Sequence, residues 1–502
     1  MRRVTRKSKL ASRWLQLFFS SAVLFSTYYC YDNPAALHDQ LRDYFVRGSE
    51  GISPDAYEVQ FNMLYTVYSI PNMVIPIFIG GTLCVRYGAA RCAVGFSLIV
   101  LFGQIIFACG MSSGSLGIML LGRFVFGLGG ENLSVAVSTI LQEWFFGAEL
   151  GLSMGISLSV SRLGSVLNNI ISPALAASSK SASPPIIFGV FVAIGGAVSA
   201  IAAERLDRLG AQALLSKDRR DAEERKASYD EGGGADPLAH PRGRSRASRW
   251  SKVMMLPSAF WLLSLSCVAI YGIVLPFNNI ASNLLIEKFL CQGPCCPSAR
   301  GVKAMIHPEQ QCARAVRAEA AAGYIMGIPF TVSAVLTPFV GALTDRYGYA
   351  ALLTAAAACL LIIVHLQILL GDSMPVYPLI LQGVAYSAYA ACLWPSVGTA
   401  VRREDSAVAY GLMTSLQNCG LAAIPLIVGS LKVRSGGYDG VETFFIILGF
   451  VGLFSSSLVN YFDFKHHRGA LNKPFNHRRR TGKGSELDRK VRSIIEAEGL
   501  LG

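Results

Sequence analysis

The chain has 502 residues, 52% of them hydrophobic and 15% charged, with a mean hydropathy of +0.43 and a formal net charge of +13. Soluble chains carry about 25% charge, so an aqueous globule is excluded. The apolar segments hold no nucleophile–base pair, phosphate-binding loop or metal-ligand cluster, so neither an enzyme nor a cofactor is expected.

The apolar residues fall in about twelve blocks, near 12–31, 59–82, 91–111, 115–138, 149–176, 184–203, 257–285, 319–343, 349–370, 374–400, 406–432 and 440–463. A bilayer span needs about 20 apolar residues as helix, and lipid offers a backbone no hydrogen-bond partner outside the protein. The expectation is an all-α membrane protein: twelve transmembrane helices in two six-helix bundles, with no cleavable secretory signal before them.

The chain opens on a basic tail, 1–11. Arg2, Arg3, Arg6, Lys7, Lys9 and Arg13 precede or begin the first span, and the loop after that span is acidic (Asp32, Asp39, Asp43, Glu50, Asp55, Glu58). The segment 204–256 and the tail 465–502 are basic again, so the positive-inside rule places both termini in the cytosol. That topology accounts for the basic excess, and no nucleic-acid motif accompanies it. The bundles are then 12–203 and 257–464. The linker 204–256 reads as a short amphipathic stretch followed by a disordered loop.

Within the first bundle, YYCYDNP ends span one with Tyr28, and YTVYSIPN puts Tyr65, Tyr68 and Asn72 at helical spacing in span two. GGTLCVRYGAAR then joins spans two and three. Span four carries GRFVFGLGGE, with Arg123 and Glu131, and span five carries SRLGS, with Arg162. Counting from the cytosolic ends puts Glu131 ~15 Å and Arg162 ~20 Å deep, near the middle of a core ~30 Å thick. A charge there costs at least roughly 2.5–3.5 kcal/mol and faces a cavity or a partner. One acid cannot neutralise two arginines. The expectation is that Glu131 and Arg162 face a central cavity, while Arg123 is structural or gating.

In the second bundle, LPFNN breaks span seven at Pro276 and offers Asn278 and Asn279. The luminal loop 286–318 holds Cys291, Cys295, Cys296 and Cys312, which read as disulfides in an oxidising compartment, with a zinc site as the alternative. GALTDRYGYA between spans eight and nine repeats the Gly-x-x-x-x-Arg-Tyr-Gly frame of GGTLCVRYGAAR. Arg86 matches Arg346, but Asp345 stands where the first half has Val85, so the first-half gate is expected to be weaker or held otherwise. His365 reads as a packed histidine rather than a proton relay. Tyr386, Tyr389 and Trp394 in span ten, and Gln417 and Asn418 in span eleven, complete a polar, aromatic cavity. The tail ends EAEGLL, where Glu496, Leu500 and Leu501 fit an acidic dileucine sorting signal.

Six-plus-six spans with this repeated loop resemble the major facilitator superfamily over 12–463. CYDNPAAL, YSIPN, GRFVFGLGGE, SRLGS, LWP and AYGLMTSLQNCGLA together resemble its lysosomal dipeptide carrier branch. The resemblance implies a uniporter that releases dipeptides from a lysosome or vacuole to the cytosol, alongside a glycosylated accessory membrane protein. It gives Glu131 the dipeptide ammonium and Arg162 the carboxylate, and the two fixed charges would read a length of ~7 Å. A proton-coupled carrier of another small organic solute and a non-transporting receptor are the alternatives, with the plasma membrane as the second location.

Overall fold

A computed structural model describes residues 2–47, 53–145, 149–230, 256–290, 313–435, 437–467 and 469–474. The four loop cysteines and the dileucine lie outside these residues. Buried backbone groups must find partners, and the described residues satisfy them as helix, with no strand among them. In chain order the helices are α1 (Arg2–Ala36), α2 (His38–Arg47), α3 (Pro54–Ile75), α4 (Gly81–Tyr87), α5 (Ala89–Ser113), α6 (Leu116–Phe145), α7 (Leu150–Ser179) and α8 (Ser183–Asp230), then α9 (Ser258–Leu285), α10 (Ala313–Tyr347), α11 (Ala350–Leu370), α12 (Val376–Ala400), α13 (Ser406–Ser435) and α14 (Asp439–His467).

Among the described residues ten helices are long and apolar enough to cross a membrane, or eleven if α3 and α4, bent by 48° to each other, count as one span. The bend sits at a π-helical turn, Pro76–Gly80, where proline removes a backbone donor. α1 covers the expected first span, and its apolar run is diluted by buried Gln16, Ser20, Ser21, Ser26 and Thr27. α8 continues to Asp230, well past the expected end of its span, so the first part of the linker is helix.

Between apolar helices in lipid, close packing replaces the hydrophobic effect. The α5–α6 pair shows how. A Cβ on Gly103 would overlap the Phe126 backbone, and one on Gly122 would overlap the Phe107 backbone. The repeated loops share a backbone as well as a sequence. Gly88 and Gly348, which end the two Arg-Tyr-Gly triplets, have φ of 92° and 84°, a region side chains disfavour.

His365 of α11 is not merely packed. Its Nδ1 lies 2.7 Å from Glu442 Oε2 of α14, and both side chains are fully buried. Phe277 and Phe445 stand against the imidazole, each 5.2 Å away between ring centroids.

Candidate substrate site and the seam between the halves

Arg123 explains itself first. Pro34 in α1 has no N–H, so the Cys30 carbonyl one turn earlier loses its helical donor. Arg123 Nη1 supplies that donor at 3.3 Å, and Nη2 bonds the Tyr31 carbonyl at 2.8 Å. Its guanidinium carbon lies 5.2–5.8 Å from the ring centroids of Tyr31, Tyr65, Tyr68, Phe107 and Phe126. Such a cage stabilises a desolvated cation. Arg123 is fully buried and ties α6 to the proline-broken end of α1. Tyr65 belongs to this cage. Asp32 lies near Ser165 and within electrostatic reach of Arg123.

Tyr68 faces both ways. Its ring helps cage Arg123, and its hydroxyl donates to Glu131 Oε1 at 3.3 Å. Among the described residues Glu131 forms no ion pair with Arg123 or Arg162. Among those residues the one group bonded to its carboxylate is a neutral phenol.

Arg162 is also without an acid. Its Nη1 donates to Ser333 Oγ and, at 3.0 Å, to Thr337 Oγ1, both on α10 in the other half. The guanidinium stacks 4.2 Å from the Tyr386 ring centroid. Nε and Nη2 have no protein acceptor among the described residues, and neither is sealed from solvent. Tyr28 is within electrostatic reach of Glu131, Arg162, Tyr386 and Asp32.

The other residues read as cavity-lining are placed variously. Trp394 Nε1 bonds the Tyr271 hydroxyl at 2.9 Å, and Tyr271 packs edge-on to Tyr386. Asn418 bonds its own helix at the Thr414 carbonyl. Asn278 Nδ2 is buried without a partner, Asn279 is exposed and Gln417 is half-buried. The site therefore gathers Tyr28, Tyr68, Glu131, Arg162 and Tyr386. Spacing did not single out Ser333 and Thr337, although an i, i+4 hydroxyl pair just before Pro338 was there to be seen.

The hydrogen bonds that cross between halves all lie from Arg162 to the face carrying the linker, among the described residues. Asp345 accepts from Gly151 N at 3.0 Å and Leu152 N at 2.8 Å, the first turn of α7, whose own flanking residue Glu149 provides no cap. Gln142 Nε2 donates to the Gly398 carbonyl at 2.7 Å, and the Tyr410 hydroxyl donates to Gln142 Oε1 at 2.6 Å. Arg403 bonds the Glu143 carbonyl at the end of α6. Ser159 donates to the Ala334 carbonyl at 2.6 Å, which Pro338 leaves without its helical donor. The halves thus cap each other's helix ends, and an acid at an N-terminus and a base at a C-terminus suit the helix dipoles.

The first half lacks the acid, as Val85 announced. Val85 is exposed, and Gly81 instead meets α13 closely: a Cβ there would stand 2.5 Å from the Ala407 carbonyl oxygen. Arg86 and Arg346 stack on Tyr87 and Tyr347, each 5.3 Å away, and both are exposed. Neither has a hydrogen bond across the seam among the described residues.

Removing a side-chain cap costs about 0.5–2 kcal/mol. Asp345→Ala should therefore shift the protein towards opening at the linker face by about tenfold, where 1.4 kcal/mol is a factor of ten. Asp345→Asn should shift it less. Spin-label distances between α7 and α10 at that face would read the shift, and an unchanged distribution in Asp345→Ala would show that the cap does not hold the seam.

The sequence profile of the Major Facilitator Superfamily matches residues 17–286 and 312–495. This chain belongs to that superfamily. It is a multi-pass membrane transporter, not an enzyme. The "Lysosomal dipeptide transporter MFSD1" of Danio rerio is 32% identical over 471 residues, covering 92% of this chain and 89% of the relative. The protein of the same name from Homo sapiens is 31% identical over 459 residues, covering 90% and 86%. Among solved superfamily structures, the proton:xylose symporter XylE aligns with a TM-score of 0.64 at 12% identity, covering 93% of this chain and 98% of its own. FucP, in the outward conformation, aligns at 0.60 and 10% identity, covering 89% and 99%.

Proposed function

We propose that this protein is a lysosomal dipeptide uniporter working by alternating access, with both termini and the linker in the cytosol. The observation that carries the reading is a pair of opposite charges inside the helix bundle, a half-buried Glu131 and a buried Arg162, each held among the described residues by neutral groups. Glu131 has a phenol and Arg162 has two hydroxyls and a ring, so both are free for an ammonium and a carboxylate. Secondary carriers place such sites at the midplane between repeats. The relatives' names, lysosomal dipeptide transporters, support the substrate and the membrane.

In this reading the structure is the lumen-facing state, closed at the cytosolic face by the caps described above. Rocking of one half against the other breaks those caps and opens the site to the cytosol. The proposal includes a glycosylated accessory membrane protein, because the chain's N-x-[ST] acceptor, Asn132-Leu133-Ser134, lies inside α6 and leaves the luminal loops without a glycan of their own.

Purified protein in liposomes tests this. Labelled dipeptide should enter without a pH gradient, while the constituent amino acids and a tripeptide compete poorly. Uptake only with an inward proton gradient would replace the uniporter with a proton-coupled carrier. No dipeptide flux from folded protein would remove the substrate assignment.

A further inference from the structure

Arg162 is anchored from the opposite half, and its anchors are uncharged. We propose that Ser333 and Thr337 are positioning residues that aim Arg162 at the substrate carboxylate only while the linker face is closed. This rests on the dipeptide reading above.

Both protons of Arg162 Nη1 are committed to the two hydroxyl oxygens. Thr337 donates its own proton to the Ser333 carbonyl at 2.5 Å, so towards Arg162 its oxygen acts only as an acceptor. Ser333 and Thr337 are fully buried. Tyr386 covers one face of the guanidinium. With one nitrogen fixed and one face covered, the Nε–Nη2 edge is left to present, and that edge suits a carboxylate bidentately. An acid at 333 or 337 would orient the arginine equally well but would neutralise it. Neutral acceptors orient the cation and leave its charge for the ligand.

The anchors are mobile with respect to Arg162 by construction. Arg162 belongs to α7 and both hydroxyls to α10. The two helices touch closely on the linker side, where a Cβ on Gly155 would stand 2.8 Å from the Thr337 carbonyl oxygen. Opening that face separates α7 from α10 and withdraws both anchors together. The freed guanidinium regains rotamers and water, and its grip on the carboxylate weakens. Substrate is therefore held firmly in the linker-closed state and loosely in the linker-open one. By reciprocity, carboxylate binding favours closure.

The test compares alanylalanine with its C-terminal amide, by binding to wild-type protein and to Ser333→Ala/Thr337→Val. The double variant should bind the acid about ten- to hundredfold more weakly, as expected for bonds to a charged group. It should bind the amide within about twofold of wild type. Thr337→Ser, which keeps the acceptor, should stay near wild type for both. Equal losses for acid and amide would mean a merely structural role, and an unchanged acid affinity would mean no positioning; either overturns the proposal. Wild-type protein that binds neither ligand overturns the dipeptide reading instead, and this proposal falls with it. Solute-free spin-label distances across α7 and α10 give a second measurement. The double variant should open at the linker face, and an unshifted distribution would show that the hydroxyls are not seam anchors.

Discussion

Arg162→Ala is expected to lower dipeptide uptake by about a hundredfold or more. A bidentate carboxylate contact contributes two hydrogen bonds to a charged group, each about 1.5–3 kcal/mol, and each 1.4 kcal/mol is tenfold. Arg162→Lys should recover little. An ammonium keeps the charge but cannot bond two hydroxyls on one side and a carboxylate on the other, nor stack flat on Tyr386. Glu131→Gln should be comparably damaging, since Tyr68 keeps its acceptor while the ammonium loses its counter-charge. Blocked substrates sort the two ends. An N-acetylated dipeptide should be a poor substrate whose residual uptake is indifferent to Glu131→Gln, and an amidated one should be indifferent to Arg162→Ala. Full-rate dipeptide uptake in both variants would sink the assignment.

The second large effect concerns stability. Glu442→Ala is expected to destabilise the second bundle by about 1–3 kcal/mol, because it leaves a fully buried His365 between two phenylalanines without its hydrogen-bond partner. Replacing both members, as in His365→Leu/Glu442→Leu, should recover most of that loss, since an apolar pair of similar volume carries no desolvation cost. Thermal unfolding of purified protein, followed by tryptophan fluorescence, would decide it. A single variant as stable as wild type would show that the pair does not hold α11 to α14.

Much of the architecture was legible because hydrophobic run length and helix are tied together in lipid. The blocks from 91 to 203 fall on α5–α8, and the Arg-Tyr-Gly repeat fell on matching glycines of positive φ. The depths of Glu131 and Arg162 could be counted residue by residue. Partners could not. Nothing in GRFVFGLGGE says that Arg123 fills a carbonyl vacated by Pro34 on another helix. Nothing near His365 points to Glu442, 77 positions away. Ser333 and Thr337 were missed for a different reason. A hydroxyl in an apolar helix bonds its own backbone by default, as Thr337 also does here, so its second role needs the facing helix to become visible. Trp394 and Asn418 were attributed to the cavity because they are polar, and both are bonded within their own half.

The caps that join the halves at the linker face have a consequence for how the protein opens. Gly151 N, Leu152 N, the Gly398 carbonyl and the Glu143 carbonyl are terminal groups of helices that end at the membrane surface. Water can take each of them the moment the halves part, so each exchange nets only about 0.5–1.5 kcal/mol, somewhat more where Asp345 or Arg403 is involved. Deeper in, the Ala334 carbonyl is held by Ser159 and Arg162 Nη1 by two fully buried hydroxyls, farther from that face. The seam should therefore unfasten from its rim inward, through steps that are individually close to balance. The contact beside the substrate is the last to yield, so the cargo feels the opening only after the rest of the face has already been hydrated.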